Sequence, residues 1–189
     1  MKKTRQLFIE TARQVFVKMG VAHATMNDIA EASNKGRRTL YTYFKSKEDV
    51  YYAVVEQELA HLVECLEKII DKKIPANEKL VEYIYIHLDS IRDIVQSNGT
   101  LRADFFNDIK TVERIRRQTS IKELKMLKVI LREGVNSGLF GIKDIDTAAA
   151  IILYSLKGLE VPYIKENVAE RMAERKEAIA AFIFKGLRP

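Results

Sequence analysis

The stretch Thr25–Lys47, TMNDIAEASNKGRRTLYTYFKSK, decides the fold. Thr25 is a good N-cap, and Asp28, three residues on, can return its carboxylate to the cap and face the positive end of the helix it opens. Met26, Ile29 and Ala30 share one face of a helix predicted from Met26 to Ser33. Asn34 tolerates the left-handed conformation that ends such a helix. After a turn of about three residues the pattern resumes at Gly36, with Leu40, Tyr41 and Phe44 directed inward. Arg37, Arg38, Thr39, Thr42 and Tyr43 then point elsewhere. Two short helices on so short a turn predict a helix-turn-helix, whose second helix enters the major groove of DNA.

Charge separates this reading from a generic helical hairpin. Lys35, Arg37 and Arg38 crowd the first turn of the second helix, where the macrodipole is already positive and each cation costs about 0.3–1 kcal/mol. A nucleic acid would supply the missing negative charge, and Arg is the usual bidentate reader of guanine. Residues 1–47 hold ten Lys and Arg against Glu10, Asp28 and Glu31, a net of +7. The whole chain of 189 residues carries +6, so the other 142 residues carry −1. The basic balance therefore belongs to the N-terminal module and points to a polyanion bound there.

These residues resemble the TetR family of transcriptional repressors. The family pattern of a Thr, an Ile-Ala pair, a short turn, Leu-Tyr, an aromatic followed by Phe, and Lys three residues later is met without insertion. Here it is Thr25, Ile29-Ala30, Leu40-Tyr41, Tyr43-Phe44 and Lys47. The departures lie in the turn, where the family often has Gly-Val-Ser and a Gly before the Thr, and this chain has Asn34, Lys35, Gly36 and Arg38. The resemblance implies that Lys47 and Tyr43 hold phosphates and that Arg37, Arg38, Thr39 and Thr42 face bases. Thr25, Lys35, Gly36 and Tyr41 complete the DNA-facing set. It further implies a homodimer on a palindromic double-stranded operator, released by a small-molecule effector bound in the second domain.

Outward from the motif, Leu7, Phe8, Ala12, Val15, Phe16 and Met19 mark one face of a helix from Thr4 to Met19, closed by Gly20, with Lys2, Lys3 and Arg5 as a basic arm before it. Ser46, with Asp49, caps a long helix to about Lys72, striped by Val50, Val54, Leu59, Leu62, Leu66 and Ile69. Pro75 opens the next, Asn77 to Ser97, and Leu101–Ile109 predicts a short one. Further helices are predicted from Ile121 to Gly138, from Asp144 or Asp146 to Glu160 with Pro162 beyond, and from Val168 to Lys185. No stretch alternates as a strand does. The expectation is an all-α fold of about nine helices, with residues 1–47 a helix-turn-helix DNA-binding domain and 48–189 a helical ligand-binding and dimerisation domain.

Ala148–Tyr154 and Ala178–Phe184 are apolar all round, and such helices must be covered on every side. A symmetric dimer through Ala148, Ile152, Ala180 and Ile183 is expected. Tyr83 and His87, one turn apart on an apolar stripe, with Phe105, Phe106 and Tyr154, are the candidate ligand-binding residues. His61 and Cys65 are two of the three or four ligands a metal needs, so no metal is expected, nor any cofactor. The three histidines are scattered and no catalytic constellation recurs, so an enzyme is not expected. A single Cys and the lack of a long apolar run point to the cytoplasm and away from a membrane. The rival reading is a helical small-molecule-binding or scaffold protein without sequence-specific DNA recognition.

Overall fold

The computed structural model describes residues 2–97, 109–165, 181 and 184–187. Among them the chain is all-helical: α1 (Lys2–Met19), α2 (Met26–Ala32), α3 (Arg37–Tyr43), α4 (Lys47–Ile70), α5 (Ala76–Ser97), α6 (Ile109–Asn136) and α7 (Ile145–Lys165). The helices expected over 101–109 and 168–185 fall almost entirely outside the described residues. Two compact units form, residues 1–60 with 93–116 and residues 61–92 with 117–189. The first unit therefore keeps the N-terminal half of α4, which the expected boundary at 47/48 assigns to the second.

In the first unit, α1 buries Phe8, Ile9, Ala12, Val15 and Phe16. Leu7, expected on that face, is 40% exposed, and Ile9 takes the inward place on the other flank of Phe8. The basic arm is not separate: Lys2, Lys3 and Arg5 are the first turns of α1. Gly20 closes α1 with φ +84°, the left-handed conformation that costs glycine least. Arg13 ties α1 to α4 through Glu58 at 3.7 Å. At the start of α4 the Asp49 amide donates to Ser46 Oγ at 3.2 Å, so Ser46 caps the helix, and Asp49 Oδ2 accepts from the Lys45 amide at 2.9 Å.

The second unit is built on the stripes of α4 and α5, with Leu62, Leu66, Ile69, Leu80, Tyr83 and Leu88 buried. Buried Lys79 donates to the Ile70 carbonyl at the end of α4 at 2.6 Å and to Glu133 of α6 at 2.8 Å. That places a cation at the negative end of a helix and pairs it. α6 starts at Ile109, twelve residues before the expected Ile121. Its first half is too polar, KTVERIRRQTS, for apolar periodicity to mark it, yet it holds no Gly or Pro to stop a helix. At its other end the Leu139 and Phe140 amides both donate to the Gly134 carbonyl, at 2.9 and 3.0 Å. A Cβ on Gly134 would lie 2.0 Å from the Phe140 ring, so only glycine lets that ring close the turn. α7 is capped by Asp144, which accepts from the Thr147 amide at 3.0 Å. It continues through Pro162 to Lys165, past the expected end. A proline there deprives one carbonyl, that of Gly158, of its intrahelical donor, and Gly158 is exposed to water.

Candidate nucleic-acid interface

The two helices of the motif are finished differently. Thr25 Oγ1 accepts from the Asp28 amide at 3.2 Å, while the Thr25 amide donates to Asp28 Oδ2 at 2.8 Å, completing a capping box on α2. The Thr25 hydroxyl, whose bond to Asp28 is the larger cause, and the Thr25 amide hold the Asp28 carboxyl below its ordinary range. Asn34 takes φ +51°, as expected, and its amide donates to the Glu31 carbonyl at 3.0 Å to turn the chain. α3 then starts at Gly36 with no side-chain cap and no acid in its first turn.

Leu40 and Phe44 are buried, and the Phe44 amide donates to the Leu40 carbonyl to end α3. Tyr41 departs from the expected inward position and is 43% exposed. A seven-residue helix has room for one buried line, and Leu40 with Phe44 fills it. The guanidinium of Arg37 lies 5.5 Å from the centre of the Tyr41 ring, so Tyr41 orients Arg37. Lys35, Gly36, Arg37, Arg38, Thr39 and Thr42 are all exposed. Thr42 Oγ1 donates to the Arg38 carbonyl at 3.1 Å. Among the described residues Lys35 and Arg38 have no ion pair. Tyr43 is half-buried, its ring 5.8 Å from that of Phe8. Lys47 does not stand free: its ammonium donates to the Val21 carbonyl at 2.7 Å and the Ala22 carbonyl at 3.3 Å. The Arg5 guanidinium, 5.2 Å from the Phe44 ring, joins the same neighbourhood.

The ligand residues expected in the second unit do not all meet. Tyr83 and His87 are buried on α5. Phe105 and Phe106 lie outside the described residues. Tyr154 is 65% exposed on α7, because Leu153 and Leu156 take the inward positions, and it does not join the buried pair. His87 instead meets two residues the sequence reading missed. Its Nδ1 lies 2.7 Å from Glu123 of α6 and its Nε2 3.3 Å from Glu160 of α7, all three side chains 1–2% exposed. Two carboxylates give a protonated ring an acceptor for each of its N–H groups. Burial lowers its pKa most, but the bonds to Glu123 and then Glu160, with their charges, outweigh it and push the pKa up from 6.5 to about 9. Burial also raises the Tyr83 phenol above its ordinary range, with the Glu123 charge adding to it. The Tyr83 hydroxyl has no hydrogen-bond partner among the described residues. The missed signal was spacing: Glu123 sits at the stripe position with Met126, Leu127 and Ile130, and Glu160 follows Leu153 and Leu156 at helical intervals.

Of the expected dimer residues, Ala148 and Ile152 are half-buried, and Ala180 and Ile183 lie outside the described residues. Ile151 joins Tyr154 in facing outward at 61% exposure. His61 and Cys65 lie 3.7 Å apart, and among the described residues no group of three or more His, Cys, Asp or Glu could hold a metal. No helix among them is long and apolar enough to cross a membrane.

A chain that is all-helical over its described residues, whose N-terminal helix-turn-helix offers exposed cations on its second helix, is, in class, a helix-turn-helix regulator of transcription. The model for bacterial regulatory proteins of the tetR family matches residues 8–54, and that for the QacR-like protein, C-terminal region, matches 64–188. The chain belongs to the TetR family, with a QacR-like C-terminal region. It is 27% identical over 168 residues to the probable acrEF/envCD operon repressor of Escherichia coli (strain K12), spanning 83% of this chain and 74% of that one. Its fold is similar to that of a transcriptional regulator from Cytophaga hutchinsonii, with TM-score 0.81, 23% identity and coverage of 97% and 98%. It is likewise similar to the regulator FadR from Bacillus subtilis in complex with stearoyl-CoA, with TM-score 0.70, 20% identity and coverage of 97% and 99%.

Proposed function

We propose that the chain is a homodimeric repressor that grips a palindromic operator through α3 and is released by a small molecule bound in its second unit. The observation that carries the DNA reading is the pairing of a capped α2 with an α3 that has no side-chain cap, bears exposed Arg37 and Arg38, and follows exposed Lys35 in the turn. Arg37, Arg38, Thr39 and Thr42 face base edges in the major groove, with Lys35, Gly36, Tyr41 and Tyr43 along the backbone. Thr25 sets the start of α2 against the duplex. The wild-type protein, used to select duplexes from a random library, should enrich a sequence with two-fold symmetry. Selection of no sequence over bulk DNA would refute the reading and favour the scaffold alternative.

The homodimer reading rests on α7, where Ile151 and Tyr154 form an apolar exposed face beside half-buried Ala148 and Ile152. Ile151→Glu should convert a dimer near 43 kDa, twice the 21.7 kDa chain, into monomer by light scattering. A dimer that persists in this variant places the interface elsewhere. The effector reading rests on Tyr83, a buried hydroxyl with no hydrogen-bond partner among the described residues, beside the His87 cluster. A ligand reaching it must part α5 from α6 and α7, so it binds two arrangements of the unit with different affinity, which is what linkage to DNA release requires. The site of action is the cytoplasm, where the operator is.

A further inference from the structure

We propose that Lys47 is a positioning residue: its ammonium closes the helix-turn-helix into a loop and so aims α3, acting through the chain and not through a phosphate. This rests on the DNA-binding reading above and assigns how one residue serves it. Lys47 is the first residue of α4, yet its amine donates to carbonyls 26 and 25 residues earlier. Those carbonyls belong to Val21 and Ala22, just past the end of α1 at Met19 and just before α2. Carbonyls of the turn between α1 and α2 thus hold a cation that the positive end of α4 disfavours. Glu48 and Asp49 follow it in the first turn of α4.

The residues enclosed by this link are the whole of α2, the Asn34 turn and α3. Seven residues without a cap do not persist as a helix in water, where about 12–15 are needed even for good helix formers. The direction of α3 is therefore set by the burial of Leu40 and by what its two ends are attached to. Its start follows Asn34 from α2, and its end passes through buried Phe44 to Ser46 and Lys47. Fastening Lys47 to Val21 and Ala22 joins the chain entering α2 to the chain leaving α3, and removes the freedom of the 25-residue loop between them. An ammonium has three donors, and two are already spent on these carbonyls.

The test uses the duplex that the wild-type protein selects, a scrambled duplex of equal length, and Lys47→Met, which keeps the length of the side chain without its donors. Expected is a loss of tenfold or more on the selected duplex, binding to the scrambled duplex within twofold of wild type, and an unchanged slope of log affinity against log salt. Amide exchange should quicken over 21–25 and 37–44 and not in the middle of α4. A phosphate contact gives the opposite pattern, equal loss on both duplexes and a slope reduced by about 0.9 per half-site. That pattern, or undiminished binding to the selected duplex, overturns the proposal. If Lys47→Met loses its helical circular dichroism, Lys47→Gln takes its place in the same measurements. Loss of the fold in both variants overturns it too, since Lys47 would then hold the chain together and not α3. A wild-type protein that selects no duplex refutes DNA reading itself, a result distinct from all of these.

Discussion

On α3, Arg37 and Arg38 stand exposed at the end of a helix whose own field opposes them, whereas on α5 His87 is 1% exposed between two carboxylates that hold its proton. Both places concentrate charge where folding alone would avoid it. The difference is in who supplies the counter-charge. At His87 the chain does so, from α6 and α7, and the bonds offset a desolvation cost of several kcal/mol per ion. At α3 nothing among the described residues does, and the deficit is left on the surface, where water softens it and a polyanion can remove it. A closed cluster has its charges answered within the fold. An open one contributes little to stability and is available for binding.

His87→Ala leaves Glu123 and Glu160 facing one another in the core, and a loss of about 3–5 kcal/mol in denaturant unfolding is expected. A loss under about 1 kcal/mol would mean that the cluster is not closed. Next is pH. The folded His87 pKa, about 9, lies above the ordinary 6.5, so its contribution is complete below 6.5 and disappears as pH rises through 9. Unfolding free energy should fall by on the order of 3 kcal/mol across that window in the wild type, and far less in His87→Ala. The open side is sharpened by Arg38→Ala, expected to cost about 1–3 kcal/mol of affinity per half-site on the selected duplex, with relaxed preference at symmetric positions. Its stability should not fall, and relief of the dipole conflict should raise it by up to about 1 kcal/mol. Equal loss on every sequence would move Arg38 from bases to backbone. Smallest is Thr25→Ala, which uncaps α2 and should lower stability by about 1 kcal/mol, seen as a shifted unfolding midpoint.

What could be seen in the sequence was what neighbours along the chain decide. The Thr25–Asp28 box, the left-handed Asn34 and the burial of Leu40 and Phe44 are settled within a few residues, and each stands where the spacing put it. Tyr41 was misplaced because i, i+1 spacing near an apolar line does not say how wide that line is on a seven-residue helix. Pro162 reads locally as a stop because the local rule ignores whether water can reach the carbonyl it strands. Glu123 and Glu160 went unseen as partners of His87 because their meeting spans 36 and 73 residues, a distance periodicity does not reach. Lys47 shows the same limit at shorter range, since the motif gives the residue but not the carbonyls of Val21 and Ala22 that occupy it.

The His87 cluster also makes unfolding a chemical exchange with the solvent. At pH 8 the native imidazole keeps a proton that the same ring, once released from Glu123 and Glu160, surrenders. Each chain that unfolds then delivers close to one proton to the medium, by the difference between the two affinities. The heat recorded in a calorimeter will include that proton's reception by the buffer. Tris, which takes it up with a large enthalpy, and phosphate, which takes it up with almost none, should report different apparent enthalpies for the same event. At pH 5, where both forms of the ring are charged, this ring's share of that difference should vanish.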